Sequence, residues 1–321
     1  MSRFPGTALI LILVLSVLVS LPAACSYSAT LRVGALSTLD AMPLSLALYK
    51  PVFEENNLAV EAKYFESPAE LRAALTEGQI DAAIMDLPGA LLLKEVKIVR
   101  VALKAWSGRT HAIMVAPHIS ATAVQTLQNA NIAVCSEASH RYVADQLLAS
   151  AGVKGWTEVQ TDSPDTTLRM LLDGKVNAAL LPEPQVSLAI AHGAHVILDD
   201  ADRDIAQTVV VFRKQTTDSQ PAVIRRFLRA YEQSVRELNV RGENYRPLLT
   251  IIGIPAEVCA SLPIPVFPFP GEVPGETDVT MVNDWLVRNK MLAQPVAYKQ
   301  LVNAGFLGDH NHFHPAACCG W

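Results

Sequence analysis

The sequence has 321 residues, enough for one large hydrophobic core or two of ordinary size. Its 26 Lys+Arg and 31 Asp+Glu give a net charge of −5, so no basic surface large enough to bind a phosphate backbone is expected. The five cysteines lack the even, regular spacing of a disulfide-stapled scaffold. We therefore expect two lobes held together by buried apolar side chains, with no nucleic-acid partner.

The first residues are typical of a secretory signal. Arg3 precedes an apolar run over residues 8–21, which is shorter than the roughly 20 residues of a membrane span and ends in Pro22-Ala23-Ala24-Cys25. Residues 1–24 are therefore predicted to be a signal peptide. Two outcomes stay open: ordinary cleavage near Ala24, or lipidation of Cys25, which would anchor the protein to a membrane. In either case we expect an exported protein, periplasmic or membrane-anchored.

The chain after the signal predicts alternating strands and helices. A strand over residues 31–35 leads into a polar loop, a helix from Met42 or Pro43 to about Glu54, and a strand over 60–64. Ser67-Pro68 predicts a helix start and Gly78 its end, followed by a buried strand over 80–85.

The same order of elements is predicted a second time. Strands are expected over 132–135, 156–160 and 176–181, with helices over 142–151 and from Ser163 to Gly174. Residues 77–84 and 173–180 are similar at a constant offset of 96, which favours duplicated lobes. Two such units predict an α/β fold with either two parallel sheets or one doubly wound sheet.

The last third of the sequence predicts helices. Apolar residues at spacings of three and four form one stripe: Ile224, Phe227, Leu228, Tyr231 and Val235. Residues 263–274 are proline-rich and are expected to be extended. Two further helices are predicted over 279–290 and 296–303, with Trp285, Leu286 and Phe306 in the core.

The segment Leu172-Asp173-Gly174-Lys175-Val176-Asn177-Ala178-Ala179-Leu180-Leu181-Pro182-Glu183-Pro184 carries a family likeness. It resembles the "G-x-[VI]-D-A-A-x-x-x-E-P" signature of the substrate-binding proteins of nitrate, sulfonate, taurine and thiamine-precursor ABC importers. Residues 282–286, 295–298 and 301–307 also resemble the closing helices of that family. Asn177 stands where the family commonly has aspartate, at a position expected to begin a buried strand.

The resemblance implies a type II periplasmic-binding-protein fold. Lobe 1 would comprise residues 30–110 and 208–307 and lobe 2 residues 111–207, with hinge crossings near 107–115 and 206–212. It also implies a monomer that captures a small polar organic ligand, such as a sulfonate or a pyrimidine, and delivers it to membrane permease subunits. No cofactor is expected.

Ligands of parallel α/β sheets bind beyond the carboxyl ends of the strands. The candidate ligand-binding residues follow from the predicted strand ends: Ser37, Thr38, Leu39, Asp40, Asp86, Leu87, Ser136, Ser139, His140, Asp162 and Glu183, with Trp106 as a stacking platform near the hinge. The two serines Ser136 and Ser139 are equally expected to cap a helix. Glu183, held between two prolines, is expected to need a donor from either a ligand or the protein.

Asp40 and Asp86 would make the cleft acidic, which favours a ligand with amino or amidinium-like nitrogen over a bare anion. For His140 a lid and a surface position both stay open.

The C-terminal segment offers a different function. His310, His312 and His314, followed by Cys318-Cys319, contain ligands suited to zinc or copper, although a flexible tail over residues 308–321 without supporting residues is the simpler interpretation. The sequence contains no G-x-S-x-G, phosphate-binding glycine loop or H-E-x-x-H motif. We therefore predict a binding protein, not an enzyme. The alternatives are an enzyme on the same fold, of thiamine-pyrimidine synthase or menaquinone-pathway type, and a metal-binding protein.

Overall fold

The computed structural model describes residues 30–104, 108–119, 123–201, 203, 205 and 207–307. The predicted signal peptide, Cys25, Trp106 and the histidine tail lie outside the described residues. Within those ranges, no helix combines the length and the apolar character needed to cross a membrane.

The first sheet has the strand order β2-β1-β3-β10-β4. Its strands are β1 Leu31–Leu36, β2 Val60–Phe65, β3 Ala82–Asp86, β4 Val96–Lys104 and β10 Gln207–Arg213. Strand β1 pairs in parallel with β2 and β3, whereas β10 runs antiparallel to β3 and β4. The sheet is therefore mixed, with its antiparallel strand supplied from far along the chain.

The second sheet repeats this arrangement, in the order β7-β6-β8-β5-β9. Its strands are β5 His111–Val115, β6 Asn131–Cys135, β7 Thr157–Thr161, β8 Ala178–Pro182 and β9 His195–Asp199. Val33 is paired with Ala82 in the first sheet, and Ile132 with Ala178 in the second. The partners Ala82 and Ala178 keep the 96-residue offset seen in the sequence, and the predicted two-lobed α/β fold is confirmed.

The chain crosses between the sheets twice, between Lys104 and His111 and between Asp199 and Gln207. The predicted crossings, near 107–115 and 206–212, fall mostly on β5 and β10, which are interior strands of the two sheets. The apolar residues of β5 and β10 are buried by the neighbouring strands. The connections between the two sheets therefore lie before these strands and not on them. The residue limits predicted for the two lobes stay a prediction.

The helices surround both sheets. They are α1 Met42–Tyr49, α2 Val52–Glu55, α3 Pro68–Thr76, α4 Leu87–Leu91, α5 Ala138–Ser150, α6 Pro164–Leu172, α7 Gln185–Ala191, α8 Lys214–Ser219, α9 Pro221–Arg241, α10 Leu248–Ile251, α11 Ala256–Cys259, α12 Glu276–Arg288 and α13 Tyr298–Leu301. Short 3₁₀ turns lie at Leu39–Ala41, Val124–Leu127, Gly242–Tyr245 and Ala304–Phe306.

Helices α3 and α6 begin as the sequence predicts. Ser67 accepts a hydrogen bond from the Glu70 amide and Ser163 from the Thr166 amide, each followed by proline. After both helices the chain turns through a glycine with positive φ, +75° at Gly78 and +68° at Gly174.

Three helix predictions are corrected. The helix expected from residue 42 to residue 54 is interrupted at Lys50-Pro51, where the backbone becomes extended, and α2 forms separately. The helix expected from 142 already begins at Ala138, and that expected over 296–303 contains only α13.

The core of the first lobe centres on α9. Its predicted apolar stripe is buried, and Phe227 packs on Phe53 with ring centroids 5.5 Å apart and on Phe212 at 5.6 Å. Trp285, Leu286 and Phe306 are also buried, as predicted.

A buried arginine fixes the proline-rich segment in place. The Arg100 side chain is fully buried and donates to Glu232 at 2.9 Å and to the Pro268 carbonyl at 2.7 Å. Gly271 approaches the same guanidinium so closely that a Cβ there would overlap it.

The lobes touch through α5 of the second lobe. Trp285 of α12 donates through Nε1 to Asp145 at 2.7 Å, and its ring lies edge-on to Tyr142. Arg72 of α3 pairs with Glu137 at the start of α5, at 3.0 Å. These contacts set the lobes facing each other across a cleft.

Candidate functional site

A cleft of about 680 Å³ lies between the two lobes. Residues that follow β1 and β3 line it from the first lobe, and residues that follow β6, β7 and β8 from the second. The lining comprises Leu36, Ser37, Thr38, Leu39, Asp40, Phe65, Glu66, Pro68, Met85, Asp86, Pro88, Leu103, Thr110, His111, Ser139, His140, Tyr142, Val143, Ser163, Pro164, Asp165, Pro182, Glu183, Pro184, Gln185, Leu188, Ile205, Gln207, Thr208, Gly253 and Pro255. The carboxyl ends of strands from both sheets therefore meet at one opening, as expected for a ligand site.

Two carboxylates mark the first-lobe side, Asp40 buried and Asp86 half-buried. Asp40, 7% exposed, lies in the turn before α1 and accepts a hydrogen bond from the Thr38 hydroxyl. Asp86 ends β3 and accepts from the Gly89 amide at 2.6 Å, which caps α4. Burial raises the pKa of both carboxyls above the usual 3.8, and these hydrogen bonds only partly offset that effect.

Glu183, 4% exposed, is satisfied within the second lobe. Arg109 donates to its Oε1 from Nη2 at 2.8 Å and from Nε at 3.1 Å, and the Ser187 amide donates to Oε2 at 3.1 Å. The sequence left open whether a ligand or the protein donates to Glu183. In the structure the donors are Arg109, which lies in the first crossing, and the Ser187 amide, so the Glu183 carboxylate caps the start of α7.

Asp200 joins the two crossing segments. Its fully buried carboxylate accepts from the Thr110 amide at 2.8 Å, the His111 amide at 2.9 Å and the Thr110 hydroxyl at 2.5 Å. His111 Nδ1 lies 3.2 Å from the second carboxylate oxygen. Burial opposes ionisation of Asp200, but the hydrogen bonds from His111 and Thr110 outweigh it and hold the pKa below 3.8.

His140 is buried in the first turn of α5, neither a lid nor a surface residue. It is 8% exposed, its ring lies 5.6 Å from that of His111, and its Nδ1 has no hydrogen-bond partner among the described residues. Burial, together with the nearby His111, lowers the pKa of His140 to about 3, so its imidazole is neutral near pH 7.

The structure brings together eight of the predicted ligand-binding residues: Ser37, Thr38, Leu39, Asp40, Asp86, Ser139, His140 and Glu183. Leu87 is buried beside the cleft, while Ser136 and Asp162 are exposed and stand outside its lining. Neither predicted serine caps α5, whose N-cap residue is Glu137. Asn177 is exposed and precedes β8, so the expectation that it begins a buried strand is wrong.

Sequence reasoning missed the residues that the crossings bring to the cleft. Thr110 and His111 adjoin the first crossing, and Gln207 and Thr208 follow the second. Gly253 and Pro255 reach the opening from the loop between α10 and α11. The available sequence signal for this group was His111 itself, a histidine at the start of an apolar strand. That signal is weak evidence for a position in the cleft.

The described residues contain no group of three or more His, Cys, Asp or Glu side chains placed to hold a metal ion. Cys135 and Cys259 are free thiols, and burial raises the pKa of Cys135. The cleft therefore offers hydrogen-bonding and charged groups around apolar walls, the composition of a small-molecule site.

Several solved structures of similar fold are binding proteins. The aliphatic sulphonate binding protein SsuA from Escherichia coli is 19% identical with a TM-score of 0.72, covering 85% of this chain and 91% of that one. A ligand-binding component of an ABC-type import system from Staphylococcus aureus, with zinc bound, is 16% identical with a TM-score of 0.70, covering 87% and 98%. The alkanesulfonate-binding protein SsuA from Xanthomonas axonopodis pv. citri, bound to MOPS, is 17% identical with a TM-score of 0.66, covering 86% and 98%.

At these identities the likeness establishes the periplasmic-binding-protein fold and not the ligand. No curated protein matches the sequence significantly. A family model described as the NMT1-like family matches residues 26–253. Because this match spans well over half of the sequence, the chain belongs to the NMT1-like family.

Proposed function

We propose that this protein is the extracytoplasmic solute-binding component of an ABC importer. It captures one small polar organic molecule in the cleft and presents it to permease subunits in the membrane. The observation that carries the proposal is a cleft lined by both lobes, with the two crossing segments at the boundary between them. Rotation about two such segments opens and closes a site without repacking either core.

The crossing segments are suited to a hinge. Asp200 binds the backbone of Thr110 and His111 across the two connections, so the lobes stay in register while the flanking bonds rotate. Away from the crossings, the lobes meet at α5, where Arg72 pairs with Glu137 and the buried Trp285 ring packs on Tyr142 and donates to Asp145. Closure on a ligand would rotate the lobes about the crossing segments and rearrange these contacts at α5.

One observation favours a second candidate, an enzyme on the same scaffold. The Asp200–His111 pair resembles the carboxylate that orients a catalytic histidine. Within the described part of the chain, however, no hydrogen bond joins His111 to a serine or cysteine that could serve as a nucleophile. The backbone contacts of Asp200 account for the pair as a structural one, and the binding function is preferred.

The proposal is tested by thermal shift against a panel of amines, amidines, sulfonates, carboxylates, pyrimidines and metal salts, with mass analysis for turnover. A ligand at 100 times its Kd stabilises the protein by about 2.7 kcal/mol, which raises Tm by roughly 5–10 °C. Ser139→Trp should abolish the shift because the indole fills the cleft from the first turn of α5.

Ala149→Trp is the matched control, since Ala149 is exposed at the other end of the same helix. It should keep the wild-type response. Conversion of a panel member into product would refute the binding function in favour of the enzyme. A response only to metals, lost on deletion of residues 309–321, would favour the metal-binding alternative.

A further inference from the structure

The charges that line the cleft are of one sign. Among the described lining residues the ionisable groups other than histidine and the Tyr142 phenol are carboxylates: Asp40, Glu66, Asp86, Asp165 and Glu183. The described lining contains no lysine or arginine. Arg72 of α3 and Arg109 of the first crossing are each paired with a carboxylate, Glu137 at 3.0 Å and Glu183 at 2.8 Å. A ligand anion would therefore meet no uncompensated cationic side chain there.

Three helices that begin at the cleft have an N-terminal amide already bound by a side chain of the protein. Such ends bind anions in many proteins because they present unpaired amides and a partial positive charge. Here the Gly89 amide of α4 is bound by Asp86, the Ser187 amide of α7 by Glu183, and the Thr166 amide of α6 by the Ser163 hydroxyl. At α5 the N-cap residue Glu137 makes no side-chain hydrogen bond to the helix and pairs instead with Arg72. The protein's own acceptors therefore occupy an N-terminal amide at α4, α6 and α7, and the start of α5 carries an acidic side chain beside it.

A buried side chain without a partner points to the ligand independently. His140 lines the cleft, and its Nδ1 is withdrawn from solvent and bonds to no described atom. A buried polar nitrogen left unpaired costs about 1–3 kcal/mol, so a partner supplied by water or by a bound molecule would be stabilising. A neutral imidazole with a free ring nitrogen can accept a hydrogen bond from a ligand N–H.

Apolar side chains also line the cleft. Phe65, Met85, Leu103 and Leu188 contribute hydrocarbon surface between the carboxylates. This surface suits an apolar body, whereas the carboxylates Asp40 and Asp86 suit its charged end.

We propose that the cleft binds an organic cation, a compact apolar body that carries an ammonium, amidinium or guanidinium group, and that it rejects sulfonates and other anions. This assignment rests on the proposed binding function. The cationic nitrogen lies between Asp40 and Asp86, where its N–H groups add to the partial compensation that the protein's hydrogen bonds give these carboxylates. His140 accepts a further hydrogen bond.

Isothermal titration calorimetry with matched probes tests this assignment. Benzamidine, benzamide and benzenesulfonate share one ring and differ in charge, and butylamine and butanesulfonate form an aliphatic pair. The cations should bind at least roughly tenfold more tightly than the neutral amide, as expected for loss of one charge-assisted hydrogen bond. The sulfonates should show no measurable heat.

Asp86→Asn is the informative variant because asparagine keeps the cap on α4 while removing the charge. It should weaken benzamidine binding by roughly ten- to a hundredfold, as should Asp40→Asn, with circular dichroism confirming the fold. Asp284→Asn is the control, since Asp284 is exposed on α12, away from the cleft lining. It should bind like wild type.

The outcomes separate the two proposals. Tighter binding of a sulfonate than of its matching cation would overturn the cation assignment and leave the binding function standing. An equal loss of affinity in Asp284→Asn would also overturn it, because the effect would then be one of net charge. Absence of binding by every probe and by the wider thermal-shift panel would refute the binding function itself, and the assignment with it.

Discussion

Replacing Asp200 by asparagine should destabilise the protein far more than a change of one oxygen to an NH₂ group suggests. The carboxylate is fully buried and accepts hydrogen bonds from the backbone and side chain of Thr110 and from the His111 amide and ring. Asparagine has a single acceptor oxygen and directs two N–H groups at donors. At least one donor then loses its acceptor, and the others lose the charge-assisted part of their strength.

The expected cost is about 2–4 kcal/mol of unfolding free energy, since hydrogen bonds to a charged group contribute about 1.5–3 kcal/mol and a buried unsatisfied donor costs about 1–3 kcal/mol. The folded state lowers the Asp200 pKa, so this stabilisation is present at pH values above the unfolded pKa of about 3.9. It is lost as the pH falls through the folded pKa. The deficit of Asp200→Asn should therefore be full near pH 7 and shrink as the pH falls below 4.

Urea unfolding followed by tryptophan fluorescence at pH 7 and at the lowest pH where both proteins fold measures this deficit. Asp173→Asn is the matched control, because Asp173 is exposed and its ion pair is with Lys175, which is exposed as well. It should change stability by less than about 0.5 kcal/mol. If Asp200→Asn lost no more unfolding free energy at pH 7 than the control, the proposed role of Asp200 in holding the two crossing segments together would be refuted.

Three further changes follow from the packing and the pKa shifts. Gly271→Ala should cost about 1–3 kcal/mol in urea unfolding because the added Cβ overlaps the buried Arg100 guanidinium, and an unchanged midpoint would contradict that packing. Phe227→Ala should lower the free energy of unfolding by about 3–5 kcal/mol through lost stacking and a residual cavity. Phe227→Leu should lower it clearly less, and equal losses in the two variants would argue against a tightly packed stack. His140, with its pKa lowered to about 3, should remain neutral in NMR titrations at pH 5. Below pH 6.5 the unfolded chain then binds more protons at this histidine than the folded chain does. The free energy of unfolding should therefore fall as the pH decreases, by at most about 1.4 kcal/mol per pH unit. His140→Gln should reduce that slope. A titration of His140 near pH 6.5 would contradict its burial.

The repeated pattern of elements was readable from the sequence because it depends on local chemistry. Ser67-Pro68 and Ser163-Pro164 begin helices, and Gly78 and Gly174 end them, by rules that involve only a few neighbouring residues. The buried strands after those glycines are apolar runs without alternation. Local signals of this kind predict the order of elements and, from it, the α/β fold.

The candidate site was only partly predictable, for a physical reason. Asp40, Asp86 and Glu183 follow predicted strand ends and could be placed at an opening from the sequence. The tie between Asp200 and Thr110 spans 90 positions, and no local pattern relates those residues. Likewise, the buried position of His140 depends on the second sheet and its crossing strand, so its sequence neighbours could not reveal it.

The most direct test is native mass spectrometry of the protein recovered from its own host, followed by titration with the best binder from the panel. The wild-type protein should carry a single noncovalently held organic cation. The same molecule should be absent from Ser139→Trp and retained by Ala149→Trp. Equal retention by all three proteins would place binding outside the cleft and contradict the account.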